Sequence, residues 1–249
     1  MGLRSALFVI LALVALGLIY GINRATSQER KEDKERATEI QIGVMSSTQR
    51  EHSKLYSRYQ PGRRLDITQP GLKPGQEEGV YVEAPLEITS DDAPVVTFKD
   101  FLTDLTCGAD LIVVATPTER TSQLTENREF VFSDYTAVVE EVLKNNPSAQ
   151  ITPNSGITVT RPGGRVSIGG RVVSAFDSSF KPLERGLRYL LFLKYVPKTG
   201  AYDSIVKGSF LLNDKELLPL TEQYIPTGDS GVRSLSPDVR NILTSTCKK

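Results

Sequence analysis

The chain has one histidine and two cysteines in 249 residues, and its thirty basic residues are matched by thirty acidic ones. One histidine leaves any serine nucleophile a single candidate base. As a metal ligand it fails too, because Glu51 is the one potential ligand near His52. The two cysteines suggest neither a metal site nor a catalytic thiol, and no cofactor is expected. A net charge of zero supplies no general attraction to nucleic acid or to an anionic membrane, so nucleic acid is not an expected partner. The hydrophobic share is 39 %, part of it concentrated at the N-terminus, so the rest is polar and supports one core of moderate size.

That concentration is Ser5 to Ile22, SALFVILALVALGLIYGI, eighteen residues without a charge. A bilayer core of about 30 Å takes ~20 apolar helical residues, with roughly 17 as the lower limit. A secretory signal has a shorter apolar core of about 7–15 residues ending in small residues. Ala15-Leu16-Gly17 offers a cleavage site, but Leu18, Ile19 and Tyr20 prolong the run. Tyr20 also sits where interfacial aromatics occur. Residues 1–25 are therefore expected to be a retained single-pass anchor, with a cleaved signal and secretion as the alternative. Arg4 flanks the run on one side and Arg24, Arg30, Lys31, Lys34 and Arg36 on the other, which by positive charge alone favours the reverse orientation. A short N-terminus that stays inside while the long C-terminal part is exported is the usual outcome for a signal-like segment. The expected location is thus the cell membrane, with an extracytoplasmic C-terminal domain.

Residues 26–79 read as a stalk and linker. ERKEDKER offers opposite charges at helical spacing and no apolar face, and residues 57–79 carry repeated Pro-Gly turns. His52, in SQREHSKLY, is expected to be solvent-exposed there. Residues 80–249 read as the folded domain. Val80 to Ile88 suits an edge strand, given Pro85. Thr97 with Asp100 starts a helix whose face is Phe98, Phe101, Leu102 and Leu105, and Gly108 can stop it. Residues 109–116 form a continuous apolar run, as in a strand buried on both faces. Residues 117–129 are polar and turn-like. A strand from Phe130 to Leu143, bent near Ser133-Asp134, is followed by Ile157–Thr160, Arg165–Ala175, Leu187–Val196, Tyr202–Val206 and Ser209–Leu212. Ser236-Pro237 opens a last helix that delivers Cys247. Cys107 and Cys247 stand at the two edges of this domain, and in an oxidising compartment they are expected to pair, with two unrelated thiols as the alternative. The fold class is mainly β: a small OB-like antiparallel barrel or sandwich with short flanking helices, preceded by one transmembrane helix.

Four phrases carry a resemblance through their order. They are Ala109-Asp110-Leu111-Ile112-Val113-Val114, Val142-Leu143-Lys144-Asn145, Arg161-Pro162-Gly163-Gly164, and Gly186-Leu187-Arg188-Tyr189-Leu190-Leu191-Phe192-Leu193. Together, over residues 98–212, the chain resembles uncharacterised exported bacterial domains with an OB-like, netrin-module-like barrel related to tissue inhibitors of metalloproteases. Asn145 stands where glycine is usual, and Cys107 is alone where the inhibitors carry a Cys-x-Cys N-terminus. The resemblance implies the barrel, a "PGG" hairpin and the exported compartment, and it does not imply protease inhibition.

Candidate chemistry is sparse. Gly228-Asp229-Ser230-Gly231 matches the phrase around a chymotrypsin-like nucleophile, but Val232 replaces the next glycine and no barrel histidine is present, so a turn is expected. Asp91-Asp92 and Glu140-Glu141 are adjacent pairs. Neighbours in a strand point to opposite faces, so Glu140 and Glu141 do not converge on a substrate. Tyr135, Tyr189 and Tyr202 are the rings a nucleic-acid barrel would use, without the basic groove it needs. Arg161, Arg165 and Arg171 cluster at glycines flanked by strands, and with Arg188 they form the candidate binding surface. The expected function is a non-catalytic, membrane-tethered extracytoplasmic binding or assembly module. Its partner would be an envelope protein or polymer, and an envelope-acting hydrolase is the alternative.

Overall fold

In the computed structural model, residues 37–41, 43–57, 59, 75–82, 97–213, 216–221, 234–245 and 247 are described. The apolar run at 5–22, residues 83–88, Asp91-Asp92 and the Gly228–Gly231 turn lie outside them. Among the described residues no helix is long and apolar enough to cross a membrane. The elements are β1 (Thr38–Glu39), α1 (Ser47–Leu55), β2 (Glu77–Val82), α2 (Phe98–Gly108), β3 (Leu111–Leu124), β4 (Val131–Lys144), β5 (Gly156–Pro162), β6 (Gly164–Ile168), β7 (Arg171–Asp177), β8 (Tyr189–Val196), β9 (Ala201–Leu212), β10 (Leu217–Pro219) and α3 (Pro237–Leu243).

The fold is mainly β, in two sheets. One has the order β1–β6–β7–β2, the other β10–β9–β5–β4–β3–β8, and β8 also pairs with β9. Each of β3, β4, β5, β9 and β8 therefore has a paired neighbour on both sides. The pairing is not purely antiparallel as expected. Val159↔Tyr202 and Thr160↔Asp203 form a short parallel ladder, and β1–β6 and β2–β7 are parallel as well. These strands are joined through other elements rather than by tight hairpins, which is what parallel pairing requires.

The unbroken apolar run of β3 has two faces to fill. Leu111 and Val113 join Tyr135, Val159, Tyr189 and Leu191 in one cluster. Ile112 and Val114 face the other way, against Leu102, Leu105, Val239 and Leu243 of α2 and α3. A third cluster lies where Val166 and Val173 of the smaller sheet meet Leu124 and Phe130. The apolar residues thus divide into three clusters within one unit spanning Ala37–Lys249, not one core. Helix α2 begins as expected, with a Thr97/Asp100 capping box, and Ser236 caps α3. Lys144 Nζ donates to the carbonyls of Thr106 and Ala109, both at 2.7 Å, satisfying groups that the end of α2 leaves open. The Cys107–Cys247 disulfide ties α2 to the residues after α3.

Four local expectations are corrected. The stretch read as stalk and linker supplies β1, α1 and the first residues of β2, whose last three, 80–82, fall where the edge strand from Val80 is expected. The polar stretch from Pro117 continues β3 to Leu124, because cross-strand pairing with β4 extends through it. The β3–β4 ladder shifts register between Ile112/Val113, between Val114/Ala115 and between Pro117/Glu119, and not at Ser133-Asp134, which pair in register with Ser122 and Thr121. Pro162-Gly163-Gly164 is a corner between sheets rather than a hairpin, since β5 and β6 belong to different sheets. A Cβ on Gly164 would lie 2.3 Å from Ser133 Oγ, so the corner admits glycine alone.

The disulfide closes a span of 140 residues. Replacing Cys107 and Cys247 together by serine is expected to lower the unfolding free energy by about 4–5 kcal/mol in the chain-entropy picture. Urea denaturation with and without reductant checks this, and reductant should affect the unsubstituted protein alone.

Candidate functional site

Strand β4 and the residue before it present Phe130, Phe132 and Asp134 at alternate positions, hence on one face. His52 lies on α1, Tyr56 is its C-cap, and Tyr59 follows a turn in which its N–H donates to the Tyr56 carbonyl at 3.0 Å. The two rows meet in antiparallel order. Tyr59 stacks on Phe130 with ring centroids 4.4 Å apart, and Tyr56 stacks on Phe132 at 5.4 Å. His52 Nδ1 lies 2.9 and 3.0 Å from the two Asp134 oxygens. The neighbouring strands complete the contact. Tyr56 Oη donates to Asp203 Oδ1 at 2.9 Å, with Thr160 Oγ1 3.1 Å away, and Tyr59 Oη donates to Asp177 Oδ2 at 2.6 Å. His52 Nε2 meets Thr199 Oγ1 at 2.9 Å, and Ser53 Oγ accepts the Glu126 N–H at 2.7 Å. Lys198 Nζ reaches Glu51 at 3.2 Å. Helix α1 thus contributes mostly donors, and the strand face contributes carboxylates and hydroxyls. Burial, then the nearby Asp203 charge, pushes the Tyr56 hydroxyl well above the ordinary tyrosine range, which keeps it a donor.

Asp134, His52 and Thr199 are connected as in a carboxylate–imidazole–hydroxyl relay. A carboxylate only accepts, so Nδ1 carries a proton and Nε2 faces the hydroxyl. The surroundings do not suit catalysis. The imidazole has 0 % exposure, so no leaving group can take a proton from Nε2. Thr199 Oγ1 also accepts the Ala201 N–H within its own turn. The relay serves to fasten α1.

His52 is therefore not a solvent-exposed residue. The arginines also depart from the expected surface. Arg161 is 1 % exposed; its guanidinium donates to Ser204 and Ser209 hydroxyls at 3.2 and 2.6 Å and to the Lys181 carbonyl at 3.0 Å, and lies over the Phe180 ring. It pins the segment between β7 and β8 from inside and cannot meet a ligand at the rim. Arg165 pairs with Glu77 at 2.8 Å, and Arg188 pairs with Glu140 at 2.7 Å. Arg171 begins β7, after the Gly169-Gly170 turn. Glu140 and Glu141 diverge as strand alternation requires, Glu140 to Thr116 and Arg188, Glu141 to Arg240. Burial would raise the Glu140 carboxyl, but the Thr116 hydroxyl and Arg188 outweigh it and hold it below its usual range. Tyr135, Tyr189 and Tyr202 lie in the buried cluster, where no base can stack on them. Among the described residues no group of three His, Cys, Asp or Glu side chains is placed to hold a metal.

The residues missed in the sequence are His52, Tyr56 and Tyr59. Their spacing and the Phe-x-Phe-x-Asp alternation were both visible, but the charges around α1 marked it as solvated.

A His52→Ala, Asp134→Ala double-mutant cycle by chemical denaturation is expected to show each single substitution costing about 1–3 kcal/mol, because each strands a buried polar partner. The pair should couple by about 1–2 kcal/mol, since contacting residues are not additive. Comparison with models of known families and with curated proteins finds no match.

Proposed function

We propose that this chain is a non-catalytic binding or assembly module, tethered to the membrane by residues 5–22 and held outside the cytoplasm. Its body is an OB-like barrel made by β3, β4, β5, β9 and β8. The cyclic order of their pairings supports that reading. The family resemblance over residues 98–212 implies a barrel of this kind.

The observation that carries the binding role is the covered face. Phe130, Phe132, Asp134, Thr160 and Asp203 form a surface of stacked rings and acceptors, already filled by a segment of complementary donors. Such a surface selects an occupant by geometry and hydrogen bonding, and performs no bond making. The hydrolase alternative rests on the Asp134–His52–Thr199 connectivity, and the burial of His52 weighs against it. An envelope protein or polymer is the partner class that the tethered location suggests.

Thiol labelling of intact cells with a membrane-impermeant maleimide tests the placement. Cys107 and Cys247 are expected to label only after reduction. Labelling only after lysis, with no reductant needed, would put free thiols in the cytosol and overturn the exported reading.

A further inference from the structure

The strand face beneath α1 is filled, but a separate cavity on the same unit is not. It lies where Ile40 and Val44 meet the turn that joins β3 to β4, and its volume is about 240 Å³. We infer that this cavity binds a small aliphatic carboxylate with an adjacent N–H, the chemistry of an N-acylated amino acid or of the last residue of a peptide. The site goes beyond the covered face and does not depend on the membrane placement.

The walls are held in place by bonds within the chain. Ile40 N–H donates to the Ser167 carbonyl at 2.9 Å, and Glu126 N–H donates to Ser53 Oγ at 2.7 Å. Within the turn, Thr125 N–H donates to the Phe130 carbonyl and Arg128 N–H to the Thr125 carbonyl, both at 2.8 Å. Ile40 and Leu124 supply an apolar lining, and Val44 extends it to the surface, where it is 64 % exposed. Drug-sized ligands take pockets of ~300 Å³ or more, so this one suits a molecule about the size of a single amino acid.

Two polar residues define what that molecule carries. Gln123 is 6 % exposed; its Nε2 donates to the Val44 carbonyl at 3.4 Å, and nothing among the described residues meets its Oε1. A buried acceptor left open selects a donor in the ligand. Arg128 also lines the cavity, and its guanidinium has no partner among the described residues. Its φ of 61° is a left-handed conformation that glycine or asparagine adopts more readily. Backbone strain of this kind gathers at ligand sites, and a planar carboxylate is the partner that an arginine fork fits. Arg50 is a second guanidinium at the cavity, but it lies 3.5 Å from Glu126 Oε1. One open guanidinium beside one acid suits a monoanion, since a dianion would be repelled by Glu126.

Methionine provides the readout, because the chain has two, Met1 and Met45, and Met45 lines the cavity. Full-length protein carrying ¹³C-methyl methionine, in detergent micelles, is titrated with N-acetyl-leucine. The Met45 methyl resonance is expected to shift saturably while that of Met1 stays in place. N-acetyl-leucine amide, which lacks the carboxylate, should bind about tenfold more weakly or worse. Arg128→Gly should weaken binding about 10–100-fold, the loss expected for a charged hydrogen bond, without lowering the urea midpoint, because glycine relaxes the backbone there. Arg128→Asn tolerates the same backbone and should weaken binding alike. A peptide ending in leucine that shifts Met45 at lower concentration than N-acetyl-leucine identifies a chain end as the source, and the reverse order identifies a free acid. No saturable Met45 shift, an equal response to the amide, or unchanged binding in both Arg128 variants would overturn the inference.

Discussion

Asp134 places a carboxylate beside aromatic rings on a strand face, and satisfying it positions α1. A partly buried carboxylate needs hydrogen-bonded company. Backbone pairing with β3 and β5 does not supply it, because those bonds are spent within the ladder. His52 supplies it from outside the sheet, and its own burial then requires Thr199 on the far side of the ring. The positions of α1, of the β8–β9 turn and of the two tyrosines that follow His52 are linked through this one contact.

The body beneath is held differently. Its strands are fixed by apolar alternation, with Leu111 and Val113 on one side of β3 and Ile112 and Val114 on the other. Arg161, a large cation buried inside, is met by hydroxyls, a carbonyl and the Phe180 ring. Burial lowers its affinity for a proton, and the nearby Tyr135, Tyr56 and Tyr189 hydroxyls and Asp203 work against that shift. A guanidinium serves this place where a lysine would not, because its planar fork reaches hydroxyl and carbonyl acceptors at once. One of the four arginines expected at the binding surface therefore holds the segment between β7 and β8 instead.

Much of the body was legible in the sequence because its signals are local. The Thr97/Asp100 box, the Ser236-Pro237 start and the apolar run at 109–116 each depend on a few neighbouring residues. The site was not legible in the same way. His52 and Asp134 are 82 positions apart, His52 and Thr199 are 147 apart, and no local pattern joins them. The charged residues around α1 suggested a solvated stalk, when only His52, Tyr56 and Tyr59 mattered. Likewise, Pro162-Gly163-Gly164 resembled a hairpin turn because the same residues serve a corner, and the difference lies in which sheet receives the next strand.

The His52–Asp134 contact joins α1 to the strand face. Native-state amide hydrogen exchange on the full chain, read for α1 against β3, β4 and β5, tests this most directly. The α1 amides are expected to exchange through a local opening far faster than those of the strands, and Asp134→Asn is expected to speed α1 while leaving β3 unchanged. Equal protection of α1 and β4, lost together on unfolding, would make the segment part of the cooperative core and contradict it.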